Sequence, residues 1–560
     1  MTRQRWWGWG VDGHDGPLPA SGDALLTAEL GLPGGRRAPG PLEALALPVS
    51  ALAPGARAAL EGVVGRAWVR DDHPSRVSHA VGRSYPDLMR LRAGALDVAP
   101  DVVVEPGTAA EALAVLRTCV QLDLAVVPFG GGTSVVGGVE ALRGEHGGVV
   151  ALDTGRLTGL SDVDVRSGVA SFRGGTFGPD AESELAAHGL TLGHHPQSFE
   201  FSTVGGWVAT RSAGQASTGY GRIEDVVQGL RLASPVGEVV TGAGPATAAG
   251  PDLRELLVGS EGTLGVITEV TLRVRPAPGA KRFEAFGLPG FAAGIEALRA
   301  LVQAGVAAPV TRLSDEEETR VNLAMAGSGR RVGGLRAYMR TRGLDRPCLL
   351  VLGWEGADAA ALRAHREAGV RVLRAHGAVA LGTGVGEAWA RNRYHGPYVR
   401  DELLTRGVLA DTLETAASWT GLLATYRAVG AALRAGLAAR GTPALVGCHV
   451  SHLYPTGASL YSTFLARQQA GAELEQWQTA KAAAGDAIAA AGATITHHHA
   501  IGRDHAPWLQ GEIGDLGLAL LAAAKRTLDP TGIMNPGKLM TWTSDDAVYG
   551  DRGARPGEVG

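Results

Sequence analysis

Three adjacent histidines stand in Thr496-His-His-His-Ala-Ile-Gly502. An imidazole titrates near neutrality, so His497, His498 and His499 could move protons or bind a metal. Their position inside the chain excludes a purification tag. His449 and His452, in Gly447-Cys-His-Val-Ser-His-Leu-Tyr454, could join them in a cluster of imidazoles. A second kind of chemistry is written in glycine. Pro128-Phe-Gly-Gly-Gly-Thr-Ser134 is a turn whose consecutive glycines let several N–H groups point at one anion, with Thr133 and Ser134 adding hydroxyl donors. It is neither a Walker loop nor GxGxxG. Two further segments, 195–215 and Gly259-Ser-Glu-Gly-Thr-Leu-Gly265, are rich in small and hydroxyl residues, which let a flat, polar-edged ligand lie against the backbone.

The elements that must position these residues follow from periodicity and caps. Val102-Val-Val104 reads as a strand, Thr108-Ala-Ala-Glu111 as a capping box opening a helix through Gln121, and residues 124–128 as a strand running into Gly130. This is an α/β unit with its loop at a strand end. Residues 149–153 and 164–172 read as strands, and 179–188 as a helix capped by Gly189. Over residues 266–274, Val270, Leu272 and Val274 alternate with Thr271, Arg273 and Arg275, the pattern of a half-buried strand closed by Pro276 and Pro278. Beyond Gly279 strands are expected at 349–352, 444–454 and 460–465, and helices at 357–376, 413–440, 468–491 and 513–528. Without strict alternation, they suggest an α+β domain with a mainly antiparallel sheet. Residues 11–58, rich in Gly, Pro and Ala, read as a loosely packed lead-in with a helix at 21–30.

The 560 residues, 45% apolar, provide for two to four domains with ample cores. A net charge of −4 offers no basic excess for nucleic acid. Three cysteines outside any CxxC pair point to a reduced compartment. No apolar leader and no 18-residue apolar run is present, so a cytoplasmic location is expected, with peripheral membrane contact still open. The 82 glycines, about twice the usual share, fit either flexible filler or ligand loops.

PFGGGTS, then EFSTVGGW with TRSAG, then GSEGTLGVITE, in this order, resemble the FAD-binding domain of vanillyl-alcohol-oxidase type flavoproteins. The resemblance implies an α+β fold: a two-subdomain FAD domain (95–278), a lead-in (1–94), a cap with a mainly antiparallel sheet (279–510), and a C-terminal helix and tail closing on the FAD domain (511–560). It implies FAD contacts from Pro128, Phe129, Gly130, Gly131, Gly132, Thr133 and Ser134. Further contacts are implied for Gln197, Ser198, Phe199, Glu200, Phe201, Ser202, Thr203, Thr210, Arg211, Ser212 and Ala213, and for Gly259, Ser260, Glu261, Gly262, Thr263, Leu264 and Gly265. Some relatives link FAD to a histidine near the pyrophosphate loop. This loop carries none, so non-covalent FAD is expected.

The likeness extends further. Arg5-Trp-Trp-Gly-Trp-Gly10, Thr311-Arg-Leu-Ser314, Tyr398-Val-Arg-Asp401, Asp411-Thr-Leu-Glu-Thr-Ala416, Ser459-Leu-Tyr461 and the histidine run resemble the alkyldihydroxyacetonephosphate synthases. That resemblance implies exchange of the acyl group of acyl-dihydroxyacetone phosphate for a fatty alcohol, with flavin as electron sink and no net redox change. Tyr461 matches the acid/base residue, Arg400 a substrate-binding arginine and Arg312 a second arginine needed for activity. A tyrosine, pKa near 10, needs a neighbouring charge or hydrogen bond to act as a base, and His497–His499 are the expected suppliers. Asn535-Pro-Gly-Lys-Leu539 falls where the synthases have another segment tied to activity, but its Pro-Gly-Lys differs from theirs. The expected partners are a small-molecule or lipid substrate and a second copy in a homodimer. His449, a substrate-binding candidate, stands where the animal synthases have arginine. His449 and His452 leave open a rival reading as an FAD-linked oxidoreductase of a hydroxy acid or alcohol, and a non-catalytic flavin binder is a minor one. The related FAD-dependent D-2-hydroxy-acid dehydrogenases carry a GH…GDGNxH segment about here; this chain lacks the GDGN and has Thr456 in place of the later histidine, so no metal is assigned.

Overall fold

The structure is a computed structural model that describes residues 4–540. The expected tail at 550–560 lies outside the described residues. In the first unit Val102–Val104, Gly148–Asp153 and Leu124–Phe129 form a parallel sheet, with Val69–Arg70 antiparallel at its edge. Helix Ala109–Gln121 crosses between two of these strands. Thr108 caps it by accepting from the Glu111 N–H at 3.1 Å. The Glu111 carboxylate reaches one residue further back than a capping box requires, to the Gly107 N–H at 2.7 Å. Strand Leu124–Phe129 ends in the glycine turn, which places the turn at the carboxyl edge of the sheet.

The second unit is an antiparallel sheet in the order Leu160–Asp164, Val169–Arg173, Val266–Arg273, Val227–Ser234, Gly237–Val240. Val270 and Leu272 are fully buried, as their alternation requires. The strand expected over 164–172 is instead the second half of a hairpin. Gly168 takes a φ of +66° and donates to the Asp164 carbonyl at 2.9 Å, closing a turn that no β-branched residue could make.

The third unit is an antiparallel sheet running Val379–Gly382, Ala280–Leu288, Cys348–Gly356, Val310–Ser314, Ala444–Val450, Gly457–Arg467, Val408–Ser418. The helix expected over 413–440 starts late. Residues Val408–Ser418 form a strand paired along its whole length with Gly457–Arg467, and only then does Ser418 cap helix Trp419–Ala439. Ala, Leu and Thr at alternate positions satisfy a strand or a helix locally; the cross-strand ladder decides. The unit as a whole is α+β. The lead-in is better packed than its composition suggests: helix Ala20–Leu30 buries Leu26 and Leu30 against Leu403, Ala410, Leu445 and Leu465. No helix of the described residues is long and apolar enough to cross a membrane.

Candidate active site

A cavity of about 590 Å³ lies between the glycine segments and one face of the third sheet. That face is ordered by strand alternation, because residues two apart share a side. Ser314, His449, Tyr461 and Glu414 are direct neighbours across four strands. The next row holds Thr412, Thr463 and Gly447, and the row beyond it Ala410, Leu465 and Leu445. The face thus grades from titratable to small and then to apolar. Val321, Met325, Val399 and Leu403 continue the apolar end of the cavity.

Tyr461 is half-buried, hydrogen-bonded to the Thr412 hydroxyl at 3.0 Å, and its phenol is pushed up to about 12 by desolvation. Its ring stacks on His449 at 4.7 Å, with His499 edge-on at 5.4 Å. Burial pushes His498 down to about 3 and His499 and His449 to about 4, so these rings are neutral at pH 7. The histidine run therefore does not supply the positive charge expected for Tyr461. The cation that bears on it is Arg312, which donates to Glu318 at 2.8 Å.

Glu414 organises the run from beneath. Its carboxylate, fully buried, accepts from the Thr496 hydroxyl at 2.6 Å and from the backbone N–H groups of His497, His498 (3.1 Å) and His499 (2.8 Å). Burial alone would raise its pKa; His498, His499 and Thr496 outweigh that and hold it well below the usual range. His498 and His499 line the cavity. His497 does not: its Nε2 meets the Tyr454 hydroxyl at 2.6 Å and its carbonyl accepts from Arg222. The ring nitrogens of His452, His497 and His498 lie within 4.8 Å of one another, a spacing an ion could bridge. His449 is not in that trio.

Arg400, on helix Gly396–Thr405, lines the cavity and donates to the Arg83 carbonyl at 2.9 Å. Asp401 beside it turns away, buried, to accept from the Trp9 N–H at 2.5 Å. Trp9 also reaches the cavity, and its indole N–H is buried without a partner among the described residues. Glu318 had no signal in the sequence and is revealed only by its hydrogen bonds to His449 and Arg312; Trp9, Thr412 and Glu414 lay inside quoted motifs without an assigned role, and His452 was a candidate of the imidazole cluster.

On the opposite wall, Pro128, Phe129, Gly130, Gly131, Gly132, Thr133 and Ser134 all line the cavity. So do Gln197, Ser198, Ser202, Thr203, Thr210, Ser212, Ala213, Glu261, Gly262 and Gly265. The N–H groups of Gly130–Ser134 find no acceptor among the described residues. A Cβ on Gly131 would sit 1.6 Å from the Phe201 carbonyl oxygen, so the turn and the 201–203 segment interlock. Other candidates stand behind the wall. Phe199 stacks on Tyr394, Glu200 is exposed, and Phe201 supplies that carbonyl and meets Trp9 edge-on. Arg211 binds Glu255 and packs over Gly259. The Thr263 hydroxyl donates to the Ser260 carbonyl at 2.7 Å, and Leu264 belongs to the core. Gly259, Ser260 and Thr263 are small or hydroxylic where loops pack closely, a need that composition cannot separate from ligand contact. Glu261 reaches the cavity, but its carboxylate accepts from the Ile501 and Gly502 N–H groups, tying the third glycine segment to the end of the histidine run. Asn535 donates to the Gly138 and Glu261 carbonyls and Lys538 to those of Glu140 and Pro536, so the 535–539 segment acts as a brace.

The loop with free N–H donors, hydroxyls and no obstructing side chains fits a dinucleotide pyrophosphate and a flat ring. Comparison with known proteins agrees. Residues 100–243 match the family described as FAD binding domain, and 277–539 that described as FAD linked oxidases, C-terminal domain. The chain is similar to the alkyldihydroxyacetonephosphate synthases of Trypanosoma brucei brucei (35% identity, 86% of this chain and 80% of the relative) and Dictyostelium discoideum (33%, 84% and 78%). A solved alkyldihydroxyacetonephosphate synthase superposes with a TM-score of 0.83 at 29% identity, over 96% of this chain and 99% of that one. The fold is the FAD-binding fold of the vanillyl-alcohol-oxidase type, and FAD is the cofactor. With a third or more of its residues identical to a synthase along most of both chains, the protein belongs to the alkyldihydroxyacetonephosphate synthase family.

Proposed function

We propose that this enzyme exchanges the acyl group of acyl-dihydroxyacetone phosphate for a fatty alcohol, with FAD held non-covalently by residues of the 95–278 unit and substrate by the 279–510 unit. The observation that carries this reading is the graded sheet face: titratable groups at one end of the cavity and Leu445, Leu465 and Leu403 at the other. A substrate with a charged head and a hydrocarbon tail suits that gradient. Arg400 and Arg312 are the groups for the phosphate, since the guanidinium fork matches phosphate oxygens. Tyr461 holds and moves the proton at C1, and His498 and His499 wall the reacting end. FAD, when bound, supplies the electron sink for that carbon.

The test is incorporation of labelled fatty alcohol into acyl-dihydroxyacetone phosphate by the yellow holoenzyme. Rapid anaerobic bleaching of the flavin by a hydroxy acid, without incorporation, would establish instead the oxidoreductase reading, which the His452–His497–His498 trio favours. The reading also includes a cytoplasmic homodimer that touches a membrane to collect its lipid; chromatographic size and co-sedimentation with vesicles test those parts.

A further inference from the structure

Two protons move in the proposed exchange: one at C1, and one from the hydroxyl of the incoming alcohol. Tyr461 serves the first. The second needs an acceptor where the apolar rows meet the titratable row, because an alcohol whose chain lies along Leu445 and Leu465 brings its hydroxyl there. His449 occupies that position, two residues from Gly447 on the same strand face.

The orientation of His449 is set from one side. Glu318, on helix Glu316–Met325, has a buried carboxylate whose Oε1 accepts from His449 Nδ1 at 3.0 Å and from Arg312 at 2.8 Å. The helix comes this close because residue 447 is glycine: a Cβ there would lie 2.8 Å from that of Glu318. Arg312 and His449 together keep Glu318 ionised, against burial, down to about 2. An ionised carboxylate only accepts, so the hydrogen sits on Nδ1 and the lone pair on Nε2. Among the described residues Nε2 has no hydrogen-bond partner, and His449 lines the cavity.

Building on the transferase reading, we propose that Glu318 is a positioning residue that fixes His449 as the Nδ1–H tautomer, and that His449 Nε2 takes the hydroxyl proton of the incoming fatty alcohol. The O–H bond breaks, its proton passes to Nε2, and the oxygen forms the new bond to C1. The C1–O bond to the acyl group has broken beforehand, the fatty acid leaving as carboxylate with the electron pair, and FAD, when bound, would serve C1 as the electron sink in the interval. Glu318 holds the imidazolium until it returns its proton to solvent. The arrangement is that of a base oriented by a carboxylate on its far nitrogen.

The experiment uses the FAD-loaded enzyme and its variants Glu318→Gln, His449→Asn and the double variant. Two quantities are read: fatty-acid release from acyl-dihydroxyacetone phosphate without alcohol, and incorporation of labelled alcohol. Each single variant is expected to lower incorporation about 100-fold, a far larger loss than any in fatty-acid release. The double variant is expected to be no worse than either single one, since both act through one ring. The acid limb of the wild-type pH profile should move to lower pH in Glu318→Gln, because the imidazolium loses its counter-charge. The other groups facing His449 are Arg312, Tyr461, His452 and His498, all unaltered in that variant. Additive losses, equal loss in both steps, an unmoved acid limb or full activity of Glu318→Gln would each overturn the proposal. An unchanged flavin spectrum and melting temperature identify a folded variant, and His449→Gln provides a second substitution at the ring. A wild-type enzyme that incorporates no alcohol brings down the transferase reading itself, a result distinct from any of these.

Discussion

His449 and Tyr461 face each other across neighbouring antiparallel strands, their rings stacked 4.7 Å apart at 21°. The pair joins the two halves of the candidate chemistry. Beyond Tyr461 lies Glu414 with the histidine run; beyond His449 lie Glu318 and Arg312. One row of one sheet therefore carries the candidate proton-transfer groups.

Tyr461→Phe removes the phenol and the hydrogen bond to Thr412 but keeps the ring stack. Turnover is expected to fall by about 10²- to 10⁴-fold, with the flavin absorbance per protein unchanged. Alcohol incorporation beside a flavin spectrum measures both, and undiminished turnover would remove Tyr461 from the mechanism.

Gly131→Ala should be severe, because its Cβ would fall on the Phe201 carbonyl, which the backbone holds in place. We expect a loss of about 1–3 kcal/mol in stability and a lower flavin-to-protein ratio. Calorimetry and absorbance read these directly.

Glu414→Gln replaces a carboxylate that accepts from four donors with an amide that can accept at one oxygen only. A loss of roughly 1.5–3 kcal/mol is expected for charged hydrogen bonds of this kind, with the histidine run displaced. Urea unfolding at pH 7 tests it; a change below a few tenths of a kcal/mol would contradict the organising role.

Acid should unfold the protein early. Burial pushes His194, His195 and His498 to about 3, and His449, His499 and His505 to about 4. Below about pH 6.5 the unfolded chain binds protons at these rings and the folded one does not. The unfolded state then holds more protons, so stability rises with pH through this window and is lost as pH falls. Glu318, held down to about 2, contributes nothing in this window, whereas burial raises Glu261 and Asp504 to about 7 and Asp315 to about 6, so these carboxyls take up protons in the folded state and offset part of the loss. Melting temperatures between pH 7.5 and 4.5 should drop steeply; a flat profile would refute neutral burial.

Dialysis of the holoenzyme against EDTA is expected to leave alcohol exchange unchanged. Loss of activity restored by a divalent metal would instead assign the His452–His497–His498 trio as a metal site.

The sequence by itself determined the flavin side and named the candidates for the reacting end. Glycine turns depend on backbone freedom, and alternating apolar positions on strand pleat; both are local, so the 128–134 turn and the 266–273 strand are legible in one dimension. Histidine 497 could not be told apart from 498 and 499, because which of three adjacent rings enters the cavity depends on the Glu414 carboxylate that gathers their N–H groups from another strand. Likewise 413–418 could not be distinguished from helix until its ladder with Gly457–Arg467 was formed. Tertiary structure alone decided that Glu318 meets His449, that Thr412 rather than a histidine bonds Tyr461, and that Gly259 packs against Arg211 and Thr263 against Ser260. The reason is physical: identity and local pattern limit what a side chain can do, whereas register and burial, set by partners more than a hundred residues away, fix its charge, tautomer and neighbours.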